Sequence, residues 1–141
     1  MAAATHLVDN SALARIRTKP PVAARLEPLI LDGLAATCSL TDLEQLFSAR
    51  SGAEHREWRA DIGLRFGRVP IEQATLDRAI EVQGLLADRG AHRGANVPDL
   101  VVAAAAERAG LTVLHYDADF ELIATVTGQQ TEWVVPRGSV D

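Results

Sequence analysis

The chain has 141 residues, 48% of them hydrophobic and 23% charged, with a net charge of −5. That is enough for a single domain spanning 1–141 with a real core, and too apolar for a disordered chain. The acidic balance does not announce the basic patch usual in nucleic-acid binders, no apolar run approaches the ~18 residues of a membrane span, and MAAATHLVD at the start lacks the regions of a secretion signal.

In chain order, THLVD (5–9) reads as a short buried strand ending at Asp9. Asn10 or Ser11 then caps a helix over about 11–17, because short polar side chains satisfy its first free N–H groups. Pro20 and Pro21 break the chain, and Pro21 opens a second helix through about Asp32 with a kink expected at Pro28. Gly33 ends it, and LAATC (34–38) is the second strand. A helix over 40–50 places Leu40, Leu43, Leu46 and Phe47 on one face. Residues 53–64 form the next helix, FGRVPI is a short extended piece around Pro70, and 71–89 is a longer helix carrying Leu76, Ala79, Ile80, Gln83 and Leu86. Gly90 and Gly94 bound a polar loop. Pro98 opens a helix at 97–109 that is apolar nearly all round and so should be buried. Gly110 stops it, LTVLHY (111–116) is a third strand, DADFELIATV starts a helix, and EWVV (132–135) is a last strand. Strands alternating with helices predict an α/β domain with a mostly parallel sheet covered on both faces.

Four short acidic motifs fall at strand-to-helix corners: LVDNSAL around Asp9, TDLEQL around Glu44, VPDLVVAAA around Asp99, and LHYDADF around Asp117 and Asp119. Each acid alone has a structural explanation. Asp9 can cap a helix, and Glu44 follows Thr41 at the capping-box spacing. Asp99 sits in a first turn, where a carboxylate is favoured by the helix dipole, and Asp117 and Asp119 are ordinary turn acids. In a parallel sheet, however, such corners converge on one edge, where open α/β folds place their sites. Four carboxylates crowded without a cation would destabilise one another. Oxygen ligands of this kind suit Mg²⁺ or Mn²⁺.

The ordered set resembles the PIN-domain nucleases, and within them the VapC-type toxins of bacterial toxin–antitoxin pairs, from LVDNSALAR to EWVV. In that family the first acid ends strand one in a D-x-S or D-x-T pattern, matched by Asp9 and Ser11. The second begins the helix after strand two, matched by Glu44, and the third opens an apolar helix, as Asp99 does. The fourth follows a late strand, matched by Asp117, with Asp119 in support. The resemblance implies a PIN-like three-layer domain and a metal-dependent endoribonuclease in which Asp9, Glu44, Asp99, Asp117 and Asp119 hold Mg²⁺ or Mn²⁺. Ser11 would orient a carboxylate. It also implies an RNA substrate, a small VapB-like antitoxin partner and a homodimer, with no membrane partner. A housekeeping RNA-processing PIN nuclease, or an inactive PIN-like binding module, are the alternatives. A receiver domain would need a late lysine, yet the one lysine is Lys19, and a haloacid-dehalogenase-like phosphatase would need D-x-D where this chain has Asp9-Asn10-Ser11.

Thirteen of the fourteen basic residues are arginine, whose planar fork grips phosphate bidentately. Arg89, His92 and Arg93, on the loop before Asp99, are the candidate substrate contacts. Arg15, Arg17 and Lys19 read as a second, surface cluster. His115, on a buried strand, is expected to pack, and Trp58 and Trp133 to pack in the core or at an edge. Cys38, the one cysteine, cannot form an intrachain disulfide. A buried thiol in LAATCSL fits a cytoplasmic protein.

Overall fold

A computed structural model describes residues 3–141. Five short strands, β1 (His6–Val8), β2 (Ala35–Cys38), β3 (Gly67–Val69), β4 (Thr112–His115) and β5 (Thr131–Trp133), pair in the order β3-β2-β1-β4-β5. Every pairing is parallel, so the sheet is wholly rather than mostly parallel. Parallel neighbours need helical crossovers, which cover both faces and leave the strands apolar on each side. AATC of β2 is accordingly buried at all four positions. Alternation does the rest: Leu7 and Val113 enter one core, while Val8 and Leu114 enter the other.

The helices are α1 (Asn10–Leu13), α2 (Pro20–Leu31), α3 (Ser39–Leu46), α4 (Gly52–Arg65), α5 (Gln73–Ala87), α6 (Val97–Ala109) and α7 (Asp119–Thr127), with one 3-10 turn at His92–Gly94. The first core joins the sheet to α5, α6 and α7 through Val82, Leu86, the α6 alanines, Phe120 and Ile123. The second joins it to α1, α2 and α4 through Ala12, Val22, Leu26, Ile30 and Ile62. As expected, α6 is buried along most of its length, from Leu100 through Ala106 apart from half-buried Val101. It ends at Gly110, whose φ of 70° closes the helix while the Leu111 N–H bonds the Ala106 carbonyl at 2.9 Å.

Some elements differ from the sequence reading. The extended piece in FGRVPI is a true strand, β3, paired along β2 and stopping before Pro70, which could not donate to the ladder. α1 is one short turn of helix, shorter than expected, whereas α2 runs through Pro28 to Leu31 as the sequence suggests. Leu43 and Phe47 on the α3 stripe are 64% and 90% exposed, because α4 covers only the Leu46 side. Cys38 is buried, as expected.

Phe120 is fully buried beneath the first turn of α7. Phe120→Ala should cost ~3–5 kcal/mol of stability, read as a lower urea midpoint.

Candidate metal centre

β1 and β4 lie side by side at the middle of the sheet, so the chain leaves both at the same edge. Asp9 ends β1. Its N–H bonds the Leu114 carbonyl at 2.9 Å and its Oδ2 accepts the Ser11 N–H at 3.0 Å, capping α1. The Ser11 hydroxyl in turn accepts the Tyr116 N–H at 2.9 Å, pinning α1 to the segment that leaves β4. There Asp117 Oδ1 accepts the Asp119 N–H at 2.9 Å and opens α7. Asp119 Oδ2 accepts the Asn96 N–H at 3.0 Å, fastening α7 to the start of α6. Asp99 projects from the first turn of α6, just after Pro98.

These elements enclose one open cavity of about 440 Å³, lined by Asp9, Glu44, Asp99 and Asp117 together with Asn10, Ser11 and Asn96. One oxygen each from Asp99, Asp117 and Asp119 lies within 4.8 Å of the others. Asp9 and Asp99 are only 3% and 7% exposed. Asp9 Oδ1, Asp99 Oδ2 and Glu44 Oε1 are shut away from solvent with no hydrogen-bond partner among the described residues. Glu44 does not serve as a cap. Thr41 Oγ1 takes the Cys38 N–H at 3.1 Å, so the α3 cap is complete without it. An all-oxygen set with three unpaired buried oxygens fits a hard divalent cation.

The electrostatics point the same way. Burial pushes the Asp99 carboxyl up to about 9, reinforced by the charge of Asp9, a hydrogen bond with Asp119 and the charge of Asp117. Burial also raises Asp9, against its hydrogen bonds from Ser11 and Asn10, and it raises Glu44, where the Asp9 charge adds. His115 is held neutral, its pKa pushed down to about 4 by burial. Its ring lies 5.0 Å from Phe120 and 4.9 Å from Trp133, and its Nδ1 accepts the Asp117 N–H at 3.1 Å. It packs, as expected, and it also fixes the backbone of Asp117.

Of the residues singled out in the sequence, Asp9, Ser11, Glu44, Asp99 and Asp117 line the cavity, and Asp119 joins the triad from behind it. Arg89, His92 and Arg93 stand exposed on the α5–α6 connection and do not line it. Asn96 went unnoticed in the sequence, and Asn10 was read there only as a candidate helix cap, a role that Asp9 takes. Asn96 stands two residues before the helix-opening Pro98, a signal that a cap lies there, but its bond to Asp119 spans 23 positions. Arg15 lies over the Tyr116 ring at 4.6 Å and Arg17 over Trp58 at 5.3 Å, while Lys19 pairs with Asp141 at 3.3 Å.

Raised carboxyl pKa values mean that the metal-free fold binds protons more tightly than the unfolded chain. Stability is therefore greatest below the ordinary value of 3.8 and declines as pH rises toward about 9 for Asp99. Asp99→Asn should raise the melting temperature of the metal-free protein at mildly alkaline pH and change it little in acid. Mn²⁺ should stabilise the parent and not the variant. Thermal denaturation with and without EDTA checks both statements.

Residues 6–126 match the PIN domain model. The chain is 46% identical over 137 residues to Ribonuclease VapC21 of Mycobacterium tuberculosis, covering 95% of this chain and 96% of that one. The DNA-bound VapBC structure from Salmonella typhimurium matches with a TM-score of 0.73 at 20% identity, over 94% of this chain and 99% of that one. A toxin-antitoxin complex from Klebsiella pneumoniae matches at 0.72 and 17%, over 93% and 98%. At these identities the two structures speak for the fold, whereas the family model and the mycobacterial relative place the chain by sequence: it belongs to the PIN-domain family, alongside VapC.

Proposed function

We propose that the chain is a Mg²⁺- or Mn²⁺-dependent endoribonuclease that hydrolyses RNA phosphodiester bonds and acts as a toxin restrained by a small antitoxin. One observation carries the chemical half: three unpartnered, buried carboxylate oxygens, from β1, α3 and α6, face one cavity. Desolvating them without a counter-charge is costly, and a divalent cation offsets that cost. The VapC21 relative is a ribonuclease, which favours RNA as the substrate. The Klebsiella structure is a toxin-antitoxin complex, which favours a protein partner.

Bound by this oxygen set, a divalent cation supplies Lewis acidity at the scissile phosphate and lowers the pKa of the attacking water. The chain's own residues set up the geometry. Asp9 and Asp99 offer their unpaired oxygens, and Glu44 faces them from α3. Asp117 and Asp119 complete the set from the mouth of α7. Ser11 holds one Asp9 oxygen through its N–H, leaving the other to turn inward. The Asn96 N–H does the same for Asp119. Such outer bonds orient ligands and keep them from collapsing onto one another. No protein nucleophile is required. Arg89, His92 and Arg93 serve phosphates beyond the reacting one, exposed where an RNA strand leaving the cavity would pass. We assign the active form as a homodimer, following the family.

Purified protein incubated with total RNA should yield discrete fragments with Mg²⁺ or Mn²⁺ and none with EDTA. Asp9→Asn and Asp99→Asn should fall to background. Ser11→Ala keeps the N–H that holds Asp9 but removes the hydroxyl, which also bonds Asp9 and accepts the Tyr116 N–H; it should lose ~10–100-fold, the usual cost of removing a ligand-orienting partner. No cleavage together with no heat of Mn²⁺ binding would reduce the chain to a PIN-like binding module. Co-expression with the product of the adjacent reading frame should yield a complex and relieve growth arrest; failure on both counts would remove the toxin half of the proposal.

A further inference from the structure

A second cavity, of about 230 Å³, lies between α1, α3 and α4 and shares Asn10 with the acid cavity. Its floor is apolar, from Leu13, Ile62 and Phe66. Its side chains offer the guanidinium donors of Arg17 and Arg65, together with Asn10, Gln45 and Ser48, which both donate and accept. Arg17 and Arg65 stand on its wall, each against an aromatic ring: Arg17 lies 5.3 Å from the centre of Trp58, and Arg65 lies 5.9 Å from that of Phe66. Gln45, next to Glu44 in sequence, also lines it, and its Nε2 is shut off from solvent without a hydrogen-bond partner among the described residues. Asp61 is the acid on this wall, and it already lies 3.5 Å from Arg65. Glu54, outside the lining, adds a negative charge near Arg17.

We propose that this cavity seats the RNA nucleotide next to the scissile phosphate, an inference that rests on the ribonuclease reading. A nucleotide carries an anionic phosphate, a flat apolar base face and acceptor-rich base edges. Arg17 and Arg65 match the phosphate. Guanidinium groups near the Trp58 and Phe66 rings match a base face, as stacking groups do in other single-strand sites. The unpartnered Gln45 amide matches an acceptor on the base edge. A peptide would bring as many N–H donors as carbonyl acceptors. It carries no anionic backbone for Arg17 and Arg65, which outnumber Asp61, the one acid on the wall. The shared Asn10 makes the two cavities neighbours, so one strand can occupy both.

A fluorescent pool of short single-stranded RNAs, titrated in EDTA, separates this site from catalysis. Arg17→Gln with Arg65→Gln should weaken binding about tenfold and flatten the salt dependence by ~0.7 for each phosphate that is no longer neutralised. Gln45→Leu, which keeps the charges, should weaken binding and leave the salt slope intact. Arg17→Lys with Arg65→Lys should recover the slope and not the stacking part of the affinity. In cleavage assays the loss should fall on KM, with kcat and the heat of Mn²⁺ binding preserved. Both arginines are surface-exposed, so the variants should fold, and circular dichroism verifies it. Unchanged RNA affinity and slope would overturn the proposal. So would variants that lose the antitoxin while keeping RNA, which would make this a peptide groove. If the parent binds RNA through these residues but cuts none with any metal, the nuclease reading fails and the nucleotide site stands.

Discussion

Mutual repulsion among carboxylates held out of water is the constraint around which this domain is built. Asp9, Glu44, Asp99, Asp117 and Asp119 come from four separate segments, yet the parallel order β2-β1-β4 delivers them to one edge. Burial pushes the Asp99 carboxyl up to about 9, and the neighbouring charges of Asp9, Asp117 and Asp119 add to that rise. A site of this kind lowers the stability of the empty fold and must be compensated elsewhere. The α6 alanines, the Leu7–Val113 layer and the Val8–Leu114 layer supply that compensation through burial on both sheet faces.

Keeping the acids apart requires the scaffold as much as bringing them together. Asp9, Asp117 and Asp119 each give one oxygen to a backbone N–H, from Ser11, Asp119 and Asn96 respectively. The Asp9 bond caps α1, the Asp117 bond holds the turn that enters α7, and the Asn96 bond ties α7 to α6. In the proposed metal site, structural hydrogen bonding and ligand positioning would therefore be one set of interactions. Asking whether an acid caps a helix or binds a metal offers a false choice for Asp9 and Asp117, since the two oxygens of one carboxylate can be divided between the roles. Glu44 differs, because Thr41 already completes its helix cap. His115 contributes from beneath, neutral and buried, by accepting the Asp117 N–H.

An acidic protein that handles RNA needs its positive charge to be local. The overall charge is −5, yet nearly all of its cations are arginines. Among them, Arg17 and Arg65 line the cavity that shares Asn10 with the acid one, and Arg89 and Arg93 stand exposed on the α5–α6 connection. In the function proposed above, an RNA strand would take its backbone contacts from such guanidinium groups and present the reacting phosphate to the acids. Screening by salt would weaken the flanking interactions more than the buried centre.

The motifs around Asp9, Glu44, Asp99 and Asp117 were legible without coordinates, and so were the α/β class, the buried α6 and the helix stop at Gly110. These are local properties: a strand ending in an acid, a proline opening a helix and a glycine closing one are set within a few residues. Interactions between distant segments were not legible. Whether Glu44 would cap its own helix depended on the reach of Thr41 to the Cys38 N–H. FGRVPI became a strand because β2 presented an open edge to it, and the apolar Leu43 and Phe47 were left outside because α4 covers only one side of α3. Asp119 acquired its partner 23 residues away, at Asn96. Arg89, His92 and Arg93 neighbour Asp99 along the chain but lie outside its cavity, because side chains on an exposed turn point to water. The sequence by itself determined which acids stand at the corners and which chemistry they suit; the tertiary structure alone decided which of their oxygens remain unpaired, since that depends on hydrogen bonds closed between segments far apart in the chain.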